Sequence, residues 1–238
     1  MSGSGFIAQD ISIKNTAGPE NGQAVALKSD SDLSVFYKVG IFGYQDTSLA
    51  ITNHQFYKEC KISCTFDFVF GHATAVFQNC LILATKGTSG QKNTITAQGG
   101  LNGTPTGFVF QFCNISADSD LVPSIKSTST FLGRPWHPNS RIVFMQSNIG
   151  DVLSPEGWLE WEGSSENLDT LFYAEYKNSG PGANLRKRVK WSGYYVLNSM
   201  QASNFTVANF ISGDQWLPLT GIPFISGLGD GNTTRWNM

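Results

Sequence analysis

Q-F-Y-K-E-C-K-I at residues 55–62 and A-V-F-Q-N-C-L-I at residues 75–82 are two versions of one pattern, twenty residues apart. Gly and Asn separate such runs, which are rich in Val, Ile and Phe, and no long segment shows the 3.6-residue apolar period of a helix. The sequence is therefore interpreted as mostly strand. Three further runs align with the pattern, at spacings of twenty, thirty-three and thirty-four residues: V-F-Y-K-V-G-I-F (35–42), F-V-F-Q-F-C-N-I (108–115) and I-V-F-M-Q-S-N-I (142–149).

A strand-rich repeat of about twenty residues predicts a solenoid in which each coil buries its faces against its neighbours. We therefore expect an all-β protein, specifically a parallel β-helix, with loops inserted where the spacing lengthens. Leucine-rich repeats have a similar period, but the L-x-x-L-x-L pattern is absent from the sequence. A β-sandwich remains the alternative, although it would not require a fixed spacing.

The composition limits the class of protein. The 238 residues are 40% hydrophobic and 14% charged, which suits one domain over residues 1–238. The net charge of -2 gives no reason to expect nucleic acid, which normally requires a basic face. There is no run of eighteen apolar residues and no charged-then-apolar leader, so we expect neither a membrane span nor a signal peptide within this sequence.

Two carboxylates lie about one repeat apart, Asp46 in G-Y-Q-D-T and Asp67 in T-F-D-F-V-F-G. Gln23 and Gln45 continue the series at spacings of twenty-two residues. Residues one period apart in a parallel stack lie on strands about 4.8 Å apart, so we expect these polar groups to converge. Two carboxylates this close repel, which raises one pKa and lets the pair share acid and base duties. In a groove such a pair is a candidate catalytic site.

The same stacking places Cys60 and Cys80 at one position of adjacent coils. Their Cα atoms could fall within disulfide range, so a bridge is one interpretation. Buried thiols in a ladder that continues to Cys113 and Ser147 fit the spacing equally well. The chain has no C-x-x-C motif and no histidine pair at helical spacing, so we expect no metal site.

Five segments occur in a characteristic order along the chain: G-Q-A-V-A-L (22–27), G-Y-Q-D-T (43–47), D-F-V-F-G (67–71), L-G-R-P-W (132–136) and P-E-G-W-L-E-W (155–161). They closely resemble the signature segments of plant pectin methylesterases. The closing F-T-V-A-N-F-I-S-G-D-Q-W-L-P matches as well, so the resemblance covers essentially the whole chain. Five ordered motifs are far more specific than one short pattern.

The resemblance implies a right-handed parallel β-helix that hydrolyses the methyl ester of galacturonate in pectin, releases methanol and needs no metal or organic cofactor. Asp67 would be the nucleophile that forms an acyl-enzyme. Asp46 would protonate the methanol leaving group and then activate water. An ionised Asp67 would raise the pKa of Asp46, which must be protonated at the start.

The resemblance also implies the supporting residues. Gln23 and Gln45 would stabilise the oxyanion with uncharged amide donors, as an oxyanion hole needs. Arg134 would hold the Asp67 carboxylate ionised and oriented through paired hydrogen bonds, a task for which lysine is a poor substitute. Gln23, Arg134 and Trp136 would bind the substrate, Trp136 through the sugar. Packed core is the other interpretation of Trp136, while Trp158 and Trp161 are either core or groove wall.

The sequence departs from the family in several places. Members usually read Q-D-T-L-Y-A-H-S where this chain reads Q-D-T-S-L-A-I-T, so Ser48 and Leu49 replace a leucine and a tyrosine. Cys64 stands for a glycine and His72 for an asparagine. The family's upstream G-x-Y-x-E segment and the helix that covers the first coil do not precede Met1, so we expect the N-terminal coils and cap to be missing. Exposed strand edges would then favour self-association and low stability. The alternative expectation is that the sequence is part of a longer precursor.

Partners and location follow from the resemblance too. We expect a secreted cell-wall glycoprotein that binds pectin, with a proteinaceous pectin methylesterase inhibitor as a plausible partner. The small net charge favours scattered over processive attack. Two competing hypotheses are a catalytically impaired or non-catalytic pectin-binding wall protein and another β-helix enzyme, such as a polygalacturonase or pectate lyase. Four sequons could carry the sugars: Asn102-Gly-Thr, Asn114-Ile-Ser, Asn204-Phe-Thr and Asn232-Thr-Thr.

Overall fold

A computed structural model describes residues 1–101 and 103–229, and in them the strands form three long parallel sheets and one short pair. Sheet A contains β1 (Ile7–Gln9), β4 (Ser34–Tyr37), β7 (His54–Lys58), β10 (Thr74–Gln78), β14 (Gly107–Gln111), β18 (Arg141–Met145), β20 (Phe172–Tyr176) and β21 (Tyr194–Val196). Sheet B contains β2 (Ser12–Lys14), β5 (Gly40–Phe42), β8 (Lys61–Cys64), β11 (Leu81–Ala84), β15 (Asn114–Ala117) and β19 (Asn148–Ile149). Sheet C contains β3 (Leu27–Ser29), β6 (Ser48–Ala50), β9 (Val69–Gly71), β13 (Thr96–Gln98) and β17 (Arg134–Pro135), and the short pair is β12 (Asn93–Thr94) with β16 (Thr130–Phe131).

From β1 to β19 the chain visits sheets A, B and C in turn, and β20 and β21 then extend sheet A alone. Within each sheet, every new strand pairs in parallel with the previous strand of that sheet. This is the predicted parallel β-helix, and the prediction is confirmed. From residues 55–62 onward, the repeat spacings of twenty, thirty-three and thirty-four residues equal the sequence separations of paired residues on adjacent sheet A strands. Gln55, for example, pairs with Ala75. The domain prediction ends in residues 230–238, which lie outside the described part.

The first predicted step of twenty residues is wrong. Val35 pairs with Phe56 rather than with Gln55, so this coil has twenty-one residues. The extra residue lies in the turn after β6, which spans residues 51–53, whereas residues 72–73 suffice after β9. A turn can absorb one residue while the strands keep their register, and runs of similar apolar residues do not reveal the shift.

A repeated backbone conformation closes the turn between sheets A and B. After seven of the eight sheet A strands, all except β21, the next residue has a positive φ, between 46° and 56°, although none is glycine. Left-handed conformations cost non-glycine residues energy, so their recurrence shows that the stacked strands impose one turn geometry. The residues are Asp10, Lys38, Glu59, Asn79, Phe112, Gln146 and Lys177.

The interior is built from side chains stacked one per coil. Phe36, Tyr57, Phe77, Phe110 and Phe144 are all buried, and their successive ring centroids are 4.6, 4.3, 4.5 and 4.6 Å apart. The planes of these neighbours are inclined by at most 15°. The strand spacing of about 4.8 Å therefore sets the ring spacing.

The possible Cys60–Cys80 disulfide is not present, because all four cysteines are free and buried. The structure instead has the ladder of buried thiols that the spacing fitted equally well. Cys60 donates to the Phe36 carbonyl oxygen at 3.2 Å, and Cys113 donates to the Phe77 carbonyl oxygen at 3.3 Å. Side chains in register on parallel strands keep their Cβ atoms near the strand spacing of about 4.8 Å, whereas a disulfide needs about 3.5–4.5 Å.

The outer face of sheet A is buried as well, since the segment 197–229 covers it. This segment contains the short helices α1 (Ser199–Ser203), α2 (Val207–Phe210) and α3 (Gly213–Trp216). Both faces of sheet A are thus apolar, as is usual for parallel sheets. Within the described residues, no helix is long and apolar enough to cross a membrane. Single turns of 3₁₀ helix lie at Pro19–Asn21, Val122–Ser124, Pro181–Ala183, Leu185–Lys187 and Leu217–Thr220.

Two of the four sequons lie in the described residues. Asn114 begins β15, where its side-chain oxygen accepts a hydrogen bond from Asn148 at 2.9 Å. Asn204 is exposed just after α1. Asn102 and Asn232 lie outside the described part, and glycosylation stays a prediction.

Candidate active site

Asp46 and Asp67 occupy one position on successive coils of sheet C. Gln45 forms a bridge with Phe66 and Ser48 pairs with Val69, so the register places the two aspartates side by side. Each lies two residues before its strand, with φ of 56° at Asp46 and 50° at Asp67. The same left-handed conformation recurs at the turns that follow the sheet A strands, so it reflects the turn geometry of the coil.

The Asp67 carboxylate is held by two side chains. Arg134 binds it with a fork, Nε to Oδ1 at 3.0 Å and Nη2 to Oδ2 at 2.6 Å. Thr94 donates its hydroxyl to Oδ1 at 2.6 Å and accepts the Asp67 backbone N–H at 3.1 Å. Asp67 is buried, with 5% of its surface exposed. Charge-assisted paired bonds of this kind favour the ionised carboxylate and fix its plane.

Asp46 is in the opposite situation. Its pKa is raised to about 7, first by burial and then by the negative charge of Asp67, against the opposing effects of Arg134 and a hydrogen bond from Gln45. Its Oδ1 is buried and has no hydrogen-bond partner among the described residues. At neutral pH the pair therefore contains one ionised carboxylate and one that readily holds a proton.

The two aspartates open into a groove of about 470 Å³. Gln23, Gln45, Arg134 and Trp136 line the same groove, so the structure brings all six predicted site residues together. Gln23 and Gln45 lie on adjacent coils, as the hydrogen bond from the Ala24 N–H to the Gln45 carbonyl shows, at 3.2 Å. The register is twenty-one residues rather than twenty-two here, so the glutamines are offset by one position while the aspartates are aligned.

Of the two tryptophans left open by the sequence, one is core and one is groove wall. Trp158 is 1% exposed and stacks on Tyr173 with ring centroids 4.4 Å apart. Trp161 lines the groove, and the Arg134 guanidinium lies 4.1 Å from its ring centroid. This cation–π contact is a second interaction that holds the arginine in place.

Several residues at the site were not predicted. Phe66 and Phe70 line the groove beside the aspartates. Strict alternation from Asp67 in D-F-V-F-G would have placed Phe70 on the opposite face, so periodicity could not reveal it. Thr94 and Glu162 had no usable signal, because they come from coils of irregular length. Among the described residues, no group of three or more His, Cys, Asp or Glu side chains is placed to hold a metal ion.

The family departures lie around the groove. Leu49 is half-buried on the outward face of β6, next to Phe70 in the register of sheet C. Cys64 is buried and contacts Thr47, whose hydroxyl lies 2.9 Å from its Sγ. His72 stacks on Trp136 with ring centroids 5.2 Å apart. The predicted catalytic groups are thus retained while their surroundings differ.

Fold and site together define a parallel β-helix protein with an aspartate-pair site in an aromatic-walled groove. The Pectinesterase family model matches residues 1–214. The chain therefore belongs to the pectinesterase family, and the resemblance seen in the sequence is confirmed.

Individual relatives agree with this assignment. The chain is 59% identical over 230 residues to probable pectinesterase/pectinesterase inhibitor 44 of Arabidopsis thaliana and 60% identical over 232 residues to pectinesterase/pectinesterase inhibitor PPE8B of Prunus persica. Each match covers 96% of this chain but 44% of the relative, so the chain spans under half the length of these relatives.

Solved structures give the same result. Pectin methylesterase from carrot matches with a TM-score of 0.92 and 47% identity, over 95% of this chain and 72% of that one. The Aspergillus niger pectin methylesterase matches with a TM-score of 0.73 and 27% identity, over 87% of this chain and 62% of that one. Another similar structure, 26% identical with a TM-score of 0.68, is a pectin methylesterase mutant in complex with a hexasaccharide, and that match covers 87% of this chain and 70% of that one.

Proposed function

We propose that this chain hydrolyses methyl esters of galacturonate in pectin, releasing methanol and leaving a carboxylate on the polysaccharide. The observation that carries the proposal is the paired state of the two aspartates, with Asp67 held as an anion by Arg134 and the pKa of Asp46 raised to about 7. A covalent carboxylate nucleophile needs the first condition and a general acid needs the second. Family membership supports the choice of substrate.

In the first half of the reaction, Asp67 attacks the ester carbonyl carbon. Oδ2 accepts one hydrogen bond while Oδ1 accepts two, so Oδ2 has the freer lone pair and is the attacking oxygen. The carbonyl oxygen becomes an oxyanion, which the amides of Gln23 and Gln45 stabilise. The carbon–oxygen bond to the methoxy group then breaks, and Asp46 gives its proton to the leaving oxygen, so that methanol departs and an acyl-enzyme on Asp67 remains.

The second half returns both aspartates to their starting states. Asp46, now ionised, takes a proton from water while the water oxygen attacks the acyl carbon. A second oxyanion forms, and its collapse breaks the bond to Asp67. The product is a galacturonic acid group, Asp67 is again a carboxylate and Asp46 is again protonated. Each proton that Asp46 donates is thus recovered from water.

The wider role is also a proposal. We infer that the protein acts after secretion, in the plant cell wall, with pectin as its polymer partner and a proteinaceous pectin methylesterase inhibitor as a candidate regulator. The printed names of the plant relatives combine pectinesterase with pectinesterase inhibitor, which supports this choice of regulator. Co-purification from wall extracts would test both points.

The test is methanol release from highly methyl-esterified pectin by the purified chain, run beside Asp67→Asn and Asp10→Asn. Asp10 is a matched control, because it has the same left-handed backbone, with φ of 53°, but lies at the exposed turn between sheets A and B. We expect activity in the wild type and in Asp10→Asn, and none in Asp67→Asn, each with an intact β-rich circular dichroism spectrum.

Other outcomes select the competing hypotheses. A folded wild type that binds pectin without releasing methanol would favour a non-catalytic wall protein. New reducing ends would indicate a polygalacturonase, and an unsaturated product would indicate a lyase. Methanol release that survives Asp67→Asn would contradict the assigned nucleophile.

A further inference from the structure

A buried ion pair lies in the interior of the coil stack. Glu175 on β20 and Arg188 each have a side chain that is 2% exposed. Arg188 donates from Nε to Oε1 of Glu175 at 2.7 Å and from Nη2 to Oε2 at 3.2 Å. Tyr194 donates to Oε1 at 3.1 Å and Asn178 donates to Oε2 at 3.3 Å, so the carboxylate accepts four hydrogen bonds. None of these groups has a part in the proposed reaction.

Glu175 occupies the position at which the interior aromatic stack would continue. The register of sheet A pairs Phe144, the last ring of that stack, with Glu175 on the next strand. Burying a charge costs free energy, and well-packed apolar groups are often as stable as a buried ion pair. Stability alone would therefore be served by another ring at this position. What the ion pair adds is a guanidinium with further donors that are fixed in direction.

The further donors of Arg188 bind two loops. Nη1 donates to the Pro155 carbonyl oxygen at 3.0 Å, and Nη2 donates to the Gly182 carbonyl oxygen at 2.7 Å. Pro155 begins the segment P-E-G-W-L-E-W, called loop 155–161 from here on. One guanidinium therefore joins this loop, the loop that contains Gly182 and strand β20.

Gly157 lets loop 155–161 lie directly against the arginine. Its φ is 75°, and a Cβ at this position would lie 2.5 Å from Arg188 Cδ. Both the left-handed backbone and the close approach favour glycine. Beside it, the Val189 N–H donates to the Glu156 carbonyl oxygen at 3.1 Å. Side-chain, backbone and van der Waals contacts with the segment at Arg188 thus fix the position of the loop.

This loop in turn binds the backbone that leads into Arg134. The Leu132 N–H donates to the Gly157 carbonyl oxygen at 2.7 Å. The Leu159 N–H donates to the Gly133 carbonyl oxygen at 3.0 Å. Both residues that precede Arg134 are therefore hydrogen-bonded to the loop, on either side of the buried Trp158 ring.

The side chain of Arg134 contacts the same loop. Trp161, the last residue of loop 155–161, has its ring centroid 4.1 Å from the guanidinium. That guanidinium forms the fork with the Asp67 carboxylate, at 3.0 and 2.6 Å. A misplacement of about 1 Å at a catalytic site can lower the rate about 100-fold. A shift of the loop would therefore reach the nucleophile through Arg134.

We propose that Arg188 is a positioning residue for the reaction, which holds loop 155–161 in place and thereby orients the Arg134 guanidinium toward Asp67. The effect on rate rests on the proposed function, whereas the placement of Arg134 can be measured without turnover. Glu175 belongs to the same device, because it holds Arg188 with its other donors free for the loops.

The first experiment follows the Nε–H signal of Arg134 by nitrogen-15 NMR. This proton lies in the hydrogen bond to Asp67 Oδ1, so its exchange with water reports how often the fork opens. Arg188→Lys keeps a cation beside Glu175 but lacks the planar set of donors that reaches the loops. We expect exchange about tenfold faster in this variant, as for the loss of one net hydrogen bond. Arg134→Lys removes the signal and so identifies it.

The second experiment measures kcat for methanol release in a double-mutant cycle. We expect Arg188→Lys alone to lower kcat about tenfold and Arg134→Lys alone to lower it about 100-fold. If Arg188 acts through Arg134, the double variant should be no slower than Arg134→Lys. A role in stability alone would leave the kcat of folded Arg188→Lys unchanged. Independent roles would make the losses multiply to about 1000-fold, and either result would contradict the proposal.

Two further variants assign the effect to the loop. Gly157→Ala forces the loop and Arg188 apart while both charges of the ion pair remain, so it should reproduce the faster exchange. It carries the test should Arg188→Lys fail to fold. Gln111→Met is the matched control, because Gln111 is buried on β14 and binds the Gly227 carbonyl oxygen of a covering segment at 3.0 Å. It should lower stability without changing the exchange or kcat. Unchanged exchange in the folded loop variants, or equally fast exchange in Gln111→Met, would overturn the proposal.

The outcomes separate this inference from the proposed reaction. The exchange measurement requires no turnover, so faster exchange in Arg188→Lys of a chain that releases no methanol would support the positioning of Arg134 and refute the hydrolysis. Methanol release with unchanged exchange would do the reverse.

Discussion

The interior aromatic stack and the aspartate pair both arise because equivalent residues stack on successive coils. The stacking is favourable for the rings and unfavourable for the two carboxylates. In both, the register places like residues about one strand spacing apart on successive coils. Phe36, Tyr57 and Phe77 are apolar, so stacking adds favourable ring contacts at 4.6 and 4.3 Å. Asp46 and Asp67 are acids, so the same spacing adds repulsion, which reinforces the larger effect of burial in raising the pKa of Asp46. Stacking equivalent residues in a solenoid thus adds stability when the residues are apolar and creates a reactive pair when they are acids.

We expect the largest effect on stability from a substitution in the interior aromatic stack. Phe77→Ala removes a buried ring with stacked neighbours on both sides, so we expect the free energy of unfolding to fall by about 3–5 kcal/mol. Phe77→Leu keeps most of the volume and should lose roughly 1–2 kcal/mol. Urea denaturation of both variants gives the values. Equal losses in the two variants would mean that the stack contributes no cavity or ring-contact energy of its own.

For the aspartate pair, we expect a substitution of its arginine partner to have a large effect on the reaction rate and a small effect on stability. Arg134→Lys keeps the positive charge but loses the fork that orients Asp67, so we expect kcat for methanol release to fall about 100-fold or more. Arg141→Lys is the matched control, a half-buried arginine on β18 that donates to a carbonyl instead. The two arginines should differ clearly in kcat. A loss of similar size in both would show that the fork has no special role.

Burial of Asp46 and its repulsion by Asp67 together predict that replacing Asp46 increases stability at high pH. The folded-state pKa of Asp46 is about 7, above the value of about 3.9 in an unfolded chain. Between these values the folded state binds a proton that the unfolded state lacks, so wild-type stability falls as the pH rises through this window. Asp46→Asn removes that loss, and its Tm should exceed the wild-type Tm at pH 8 but not at pH 4.

Thermal melts at the two pH values measure this difference. A Tm difference that is the same at pH 4 and pH 8 would show that Asp46 titrates normally.

The cysteine ladder predicts the smallest effect. All four thiols are free and buried, so a thiol reagent should label none in the folded protein and four after unfolding. A reducing agent should leave the Tm unchanged, because no bridge is present to break. Labelling of only two thiols after unfolding would reveal a disulfide and contradict the ladder.

The fold was predictable because the spacing of the repeats at 55–62 and 75–82 equals the register of the paired strands. A regular strand repeat of this length is enough to indicate a parallel stack. The proximity of Asp46 and Asp67 followed from the same spacing. The fork from Arg134 spans sixty-seven positions across loops of unequal length, so only the family motif indicated it.

Thr94 and the contact of His72 with Trp136 could not be predicted. Thr94 meets Asp67 across a step of twenty-seven residues, which no repeat reveals. The contact of His72 with Trp136 depends on the side chain that Gly99 lacks, and an absent atom leaves no periodic signal.

The central claim, that the stacked carboxylate of Asp67 helps to raise the pKa of Asp46, is tested most directly by measuring that pKa. Carbon-13 NMR titration of its carboxyl group in the wild type and in Asp67→Asn provides the measurement. We predict a pKa of about 7 in the wild type and a lower value in Asp67→Asn, where the neighbouring charge is gone and the unpaired Arg134 stabilises the ionised acid. An ordinary pKa near 4 in the wild type, or the same raised value in both proteins, would contradict the account.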